Sequence, residues 1–72
     1  MIPQLDLHGV KHEDVSRRCD KFLTSIWGNH DCVDIITGNS EQMKQVVVEA
    51  LESYDVEIRP ALYNSAILRV YL

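Results

Sequence analysis

Two apolar stripes of helical period, set in a chain of only 72 residues, leave this sequence few ways to fold. Along residues 13 to 27 the stripe is Val15, Cys19, Phe22, Leu23 and Ile26; along residues 41 to 54 it is Met43, Val46, Val47, Ala50, Leu51 and Tyr54. Each predicts a surface helix with one face to bury. Short runs suited to strands surround them: the alternation that opens QLDLHGV at residues 4 to 10, the β-branched CVDIIT at 32 to 37, and alternating segments at 56 to 59 and 67 to 72. Gly28 and Asn29 tolerate the left-handed backbone that ends a helix, Ser40 is placed to cap the second one, and residues 60 to 65 read as a loop. The order is βαβαββ. Two one-sided helices over four strands make an α/β two-layer sandwich with a mixed sheet. Asp34, Glu57, Arg59 and Arg69 then belong on the face away from the helices or at the edges, because alternation assigns their neighbours to the core.

So short a chain commits most of its large side chains to one core, and no linker or repeat divides it, so residues 1 to 72 read as a single domain. Apolar and charged fractions of 46% and 25% are those of a globular protein. A net charge of −4, with both signs interspersed, gives no basic footprint, so nucleic-acid binding has to be local and weak. Cys19 and Cys32 have no metal-knuckle spacing and are too few for a disulfide scaffold, so both read as reduced. No stretch approaches the roughly 20 apolar residues of a membrane span, and Met-Ile-Pro-Gln lacks the charged start of a signal peptide. The expectation is a soluble, cytoplasmic chain with no membrane partner.

The first crossover, from the strand at Leu5 to the strand at Val33, is expected to be parallel and right-handed. Ligands of open α/β sheets sit outside the carboxyl ends of such strands, where here the turns LHGVKH (7 to 12) and TGNSEQ (37 to 42) collect. Each turn leads into a helix N-terminus, whose free N–H groups and partial positive charge suit a phosphate. Alternation puts Gln4, Asp6 and His8 on one side of the first strand, with Asp6 and His8 about 6 to 7 Å apart at their Cα atoms. A carboxylate beside an imidazole fixes its tautomer and makes a general acid or base for neutral pH. The structural alternative has His8 satisfying a backbone carbonyl while Asp6 caps a nearby amide. Gly9 allows the sharp turn that follows.

Other features carry less. His8, His12 and His30 fit no recognised metal-ligand spacing, so no metal site is expected from them. Trp27 is expected to close the core; Tyr63 and Tyr71 stay open between core and stacking roles. The cluster Arg17, Arg18 and Lys21 reads as a solvated helix face diluted by Glu13, Asp14 and Asp20.

The stretch Leu5-Asp6-Leu7-His8-Gly9 resembles the LDLHG signature of the small MutS-related (Smr) domain. Ile36-Thr37-Gly38-Asn39-Ser40 falls where that family has its TGxG or HGxG turn, and the final Asn64, Val70 and Leu72 match its last strand. The resemblance covers nearly the whole chain and implies the same two-layer architecture, with nicking DNA endonuclease or RNA endonuclease activity. The chain departs from the pattern at Asn39, often Lys in the family, and at Ser40, where the family has a second glycine. Asn64-Ser65-Ala66 also replaces a glycine-rich loop, so the resemblance is to a partly degenerate, minimal member.

Carried over, the resemblance puts Asp6 and His8 in the nuclease site as the catalytic pair and Thr37-Gly38 in the opposing turn. The residues themselves then suggest a phosphate cradled by N–H groups around Gly38, Asn39, Ser40 and Glu41 and by the Thr37 and Ser40 hydroxyls, with Gly9 letting it come close and Lys11 and Lys44 as candidate helper cations. Glu41 opposes them at the helix start. An RNA substrate supplies its own 2′-hydroxyl nucleophile and needs no metal; a DNA substrate needs an activated water, for which Asp6 would hold a divalent ion such as Mg2+. Both substrates stay open. So does a second class of function, a catalytically inactive adaptor that keeps the edge for a nucleic-acid or protein partner.

Overall fold

The computed structural model describes residues 2–72. Its elements are β1 (Gln4–Asp6), α1 (His12–Ile26), β2 (Cys32–Ile36), α2 (Glu41–Ala50), β3 (Glu57–Pro60) and β4 (Ile67–Tyr71), the βαβαββ order of the sequence reading. They form one mixed sheet in the order β1-β2-β4-β3, with β1 and β2 parallel and the other two pairs antiparallel. The inner strands are the two richest in β-branched and aromatic residues, CVDII and ILRVY. The outer strands are blunt: β1 has three residues, and β3 ends in Pro60, which an edge tolerates because no partner needs its missing N–H.

One face of the sheet makes the core. Val33 and Ile35 of β2 and Leu68 and Val70 of β4 meet Val15, Cys19 and Leu23 of α1 and Met43 and Val47 of α2. The stripes are those that the spacing predicts. Both cysteines are free, and burial pushes the Cys19 thiol up to about 11, so it stays protonated and packs as a small apolar group. Beyond one-residue shifts at the ends of α1, β2, β3 and β4, two differences from the sequence reading matter for the packing. The second helix ends at Ala50 and not at Tyr54, and residues 51 to 54 continue as tight turns, with Leu51 N donating to Val48 O and Tyr54 N to Leu51 O. Three-residue steps keep Leu51 and Tyr54 on the apolar side. Trp27 does not close the core: it is 48% exposed and lies against the Tyr54 ring, because α1 has already ended at Ile26 and Gly28 turns the chain away with φ +87°.

The opposite face carries the charges, as alternation requires. Gln4, Asp34, Arg69 and Arg59 lie in one row across the four strands. Asp34 is nevertheless only 2% exposed. Arg69 grips its two carboxylate oxygens at 2.8 and 3.2 Å, and Tyr63, reaching back from the β3–β4 loop, donates its hydroxyl at 2.8 Å. The Arg69 guanidinium also lies 5.5 Å from the Tyr63 ring centroid. The Arg69 hydrogen bonds hold the Asp34 carboxyl below its ordinary value, with Tyr63 adding in the same direction against the opposing effect of desolvation. Since the folded value is the lower one, this stabilisation is complete above the unfolded carboxyl value of ~3.9 and is lost as the pH falls below it. Urea unfolding followed between pH 2 and 7 is expected to show a destabilising acid limb that is smaller in Asp34→Asn. Arg69→Met, which leaves a buried carboxylate without its cation, is expected to lower the melting temperature more than Asp34→Asn/Arg69→Met does.

Candidate phosphate-binding edge

Because β1 and β2 are parallel neighbours, both strand-to-helix turns open on one edge of the sheet. β1 stops at Asp6. Leu7 is fully buried and donates its N–H to Ile36 O at 2.9 Å, and the chain then turns through His8 and Gly9, the glycine taking φ +79° and Val10 N closing the turn on Leu7 O at 3.0 Å. His8 has therefore left the strand, and the expected side-by-side placement of Asp6 and His8 on one pleat does not hold. The Asp6 carboxylate accepts the backbone N–H of His8 at 2.9 Å, so the bond it makes is to the amide and the imidazole is exposed. Asp6 shapes the turn that carries His8, an Asx-type use of the side chain.

The second turn lies directly against the first. Gly38 has φ +70°, and the atom nearest to where a Cβ on it would stand is His8 Cδ2, at 3.5 Å. The imidazole thus lies over the Gly38 backbone, at the mouth of α2. Several groups assigned to a phosphate are committed elsewhere. Thr37 is buried and shares its hydroxyl proton between Gly38 O at 2.9 Å and Ala66 O at 3.2 Å, so its hydroxyl does not point to the edge. Ala66 O also accepts the Thr37 N–H at 2.8 Å and the Gly38 N–H at 3.1 Å. Ser40 caps α2 by accepting the Met43 N–H at 3.1 Å, and Asn39 Oδ1 accepts the Ser65 hydroxyl at 3.3 Å. Lys44 turns its ammonium to Glu41 at 3.5 Å. What stays available is the His8 imidazole, the exposed Lys11 at the start of α1, and the amides of residues 39 to 42, which donate to no backbone acceptor.

The site has a wall in the loop that the sequence sets against the family's glycine-rich one, although the sequence reading counts no residue of it in the site. The β3–β4 loop comes alongside, fixed by Asn64 Oδ1, which accepts the Ala66 N–H at 2.9 Å, and by the triple use of the Ala66 carbonyl. Asn64-Ser65 is legible as a turn, but a backbone carbonyl leaves no trace in residue identity. Among the described residues no three His, Cys, Asp or Glu side chains converge as a metal site. Near the edge the donor set for a divalent ion is Asp6, with one oxygen already accepting a hydrogen bond, and His8. It does not make a dedicated cation site, and no step is routed through a metal ion below.

No family model, no curated protein and no solved structure matches the chain. Among the described residues no helix is long and apolar enough to cross a membrane. The geometry of Gly38 sets a direct test. A Cβ there makes an ordinary contact with His8, so the cost of Gly38→Ala is the left-handed backbone alone, about 1–2 kcal/mol by urea unfolding, with the His8 turn left in place in an NMR spectrum.

Proposed function

We propose that the chain binds the sugar-phosphate backbone of RNA at this edge and cleaves it, with His8 as the proton acceptor. The observation that carries the reading is the imidazole resting on Gly38 at the start of α2, which sets a titratable base beside free main-chain N–H donors. A phosphate received by the amides of residues 39 to 42 is held by dipole and hydrogen bonds rather than by a basic patch, in keeping with a chain of net charge −4. Affinity is correspondingly weak. The resemblance of LDLHG and the Thr-Gly turn to the Smr domain supports the same reading.

In the reaction, His8 takes the proton of the 2′-hydroxyl, the 2′-oxygen attacks phosphorus, and the 5′-oxygen leaves and takes a proton from water. The products are a 2′,3′-cyclic phosphate and a 5′-hydroxyl. Main-chain N–H groups around Asn39 to Gln42 receive the charge that grows on the non-bridging oxygens. Asp6 acts one step back. By holding the His8 amide it fixes where the ring begins, and it serves as a positioning residue.

A second reading is favoured by the same carboxylate. Bonded to an amide, Asp6 does not orient the imidazole, and the hydroxyls of Thr37 and Ser40 are used within the fold, which suits an adaptor that binds without cleaving. Incubating the purified chain with a labelled RNA and with supercoiled DNA, each with and without magnesium, separates the two. RNA products ending in cyclic phosphate, formed without magnesium and lost in His8→Ala, are expected. Because His8 is exposed, that substitution should change stability by no more than about 0.5 kcal/mol. Binding without cleavage at high protein concentration establishes the adaptor, and DNA nicking only with magnesium overturns the metal-free route.

A further inference from the structure

Three of the seven lysines and arginines of this acidic chain, Arg17, Arg18 and Lys21, line one groove beside α1. Leu5 of β1 and Phe22 of α1, both partly buried, give it an apolar floor, and Ser25 completes the lining. Among the described residues no acid lines the groove. Arg17 is engaged by Asp14 at 3.1 Å, whereas Arg18 and Lys21 make no ion pair among the described residues. The cluster is therefore more than the solvated helix face its sequence suggests: it overhangs apolar surface, and two of its three charges, Arg18 and Lys21, are unanswered by an ion pair among the described residues.

The groove borders an open strand edge. Pro3 O and Leu7 N–H bond to β2, so by alternation the N–H and C=O groups of Gln4 and Asp6, one residue in from each, point out of the sheet. We propose that this groove takes an acidic, extended peptide segment of a partner protein, which pairs with β1 as an added strand and sets its carboxylates against Arg18 and Lys21. Main-chain pairing supplies both donors and acceptors, as a bare strand edge requires. A nucleic-acid backbone offers the outward carbonyls of Gln4 and Asp6 no N–H donors and, in RNA alone, only 2′-hydroxyls, while its phosphates would face those carbonyls and the exposed Asp6 carboxylate. Alternate side chains of a strand laid there would reach Leu5 and Phe22, which asks for apolar residues between the acidic ones. With only three residues in β1, pairing is brief and charge selects the partner. The site is separate from the His8 edge chemistry and does not rest on it.

The probe is a capped, fluorescein-labelled peptide in which threonine alternates with valine and glutamate in turn, so that one strand face presents both. Titrated with the whole chain, it is expected to bind, to weaken with added salt, and to slow amide exchange at Gln4 and Asp6. Arg18→Glu/Lys21→Glu alters two exposed positions, so the fold is retained by circular dichroism, and binding should weaken about tenfold. Replacing the peptide's glutamates by lysines should recover the loss on that variant. Equal affinity for both proteins, no binding at about millimolar peptide, or exchange at Gln4 and Asp6 unchanged in the complex would each overturn the proposal. So would an oligouridylate that displaces the peptide and loses its own affinity in the same variant, which assigns the groove to nucleic acid.

Discussion

The Asp34 carboxylate sits in the middle of β2, nearly out of contact with water, and a carboxylate there has to be answered by the chain itself. Arg69, directly across on β4, answers it from within the sheet; Tyr63 answers it from outside. The second bond has the longer reach. It draws the β3–β4 loop back over a sheet face that would otherwise be bare, and the same loop delivers the Ala66 carbonyl to the N–H groups of Thr37 and Gly38. Gly38 in turn is the surface on which the His8 ring lies. A run of contacts thus leads from a charge on the open face to the turn at the carboxyl edge, and each member fixes the position of the next. Arg69 is correspondingly raised above its ordinary value by the Asp34 hydrogen bonds, as is the Tyr63 hydroxyl, so both partners register the same interaction.

Hydrogen-bond accounting decides what that edge can do. A threonine, an asparagine and a serine in one turn, with a lysine on the helix that follows, look like a generous phosphate site, yet in the fold each has a protein partner. Thr37 and Ser40 spend their hydroxyls on holding the turn and starting α2, which is how so short a connection between a central strand and a helix is stabilised. The absence of glycine from Asn64-Ser65-Ala66 has the same meaning. Where a glycine-rich loop would leave backbone open, this loop is tied down by the Asn64 carboxamide and by Asn39. Main-chain N–H groups and one imidazole are left, and they suit a single phosphate better than an extended nucleic-acid track.

Both helices and all four strands were legible because period is a property of residue order: Val15, Cys19 and Leu23 can share a face only in a helix, and Asp34 and Arg69 can avoid the core only if their strands alternate. The adjacency of the two turns followed from topology, since neighbouring parallel strands end on the same side. What could not be read was set by distance in the sequence or by the main chain. Tyr63 finds Asp34 across 29 positions, and no local signal says that an aromatic in a loop will fold back. An amide cap for Asp6 is one of the two alternatives the sequence offers, and the structure has it bonded to the amide two residues on; the choice between the two depends on where β1 stops. Trp27 stays half exposed because the helix ends one residue before it, and a boundary shift of that size lies within the reach of end fraying.

The edge and the groove meet at β1, and its brevity is what connects them. A strand of three residues bonded on one side only is the least supported element of the sheet, while its last residue, Asp6, holds the amide of His8. Gln4 and Asp6 turn their main-chain groups out of the sheet on the other side, so the position of the imidazole is fixed through a strand paired along one edge only. A core-facing Leu7, with its N–H on Ile36, anchors the strand just before the turn, and without that anchor the single carboxylate–amide bond would be too weak to keep His8 over Gly38. Burial at Leu7, not the polar pair around it, is therefore what gives the LDLHG stretch its fixed shape.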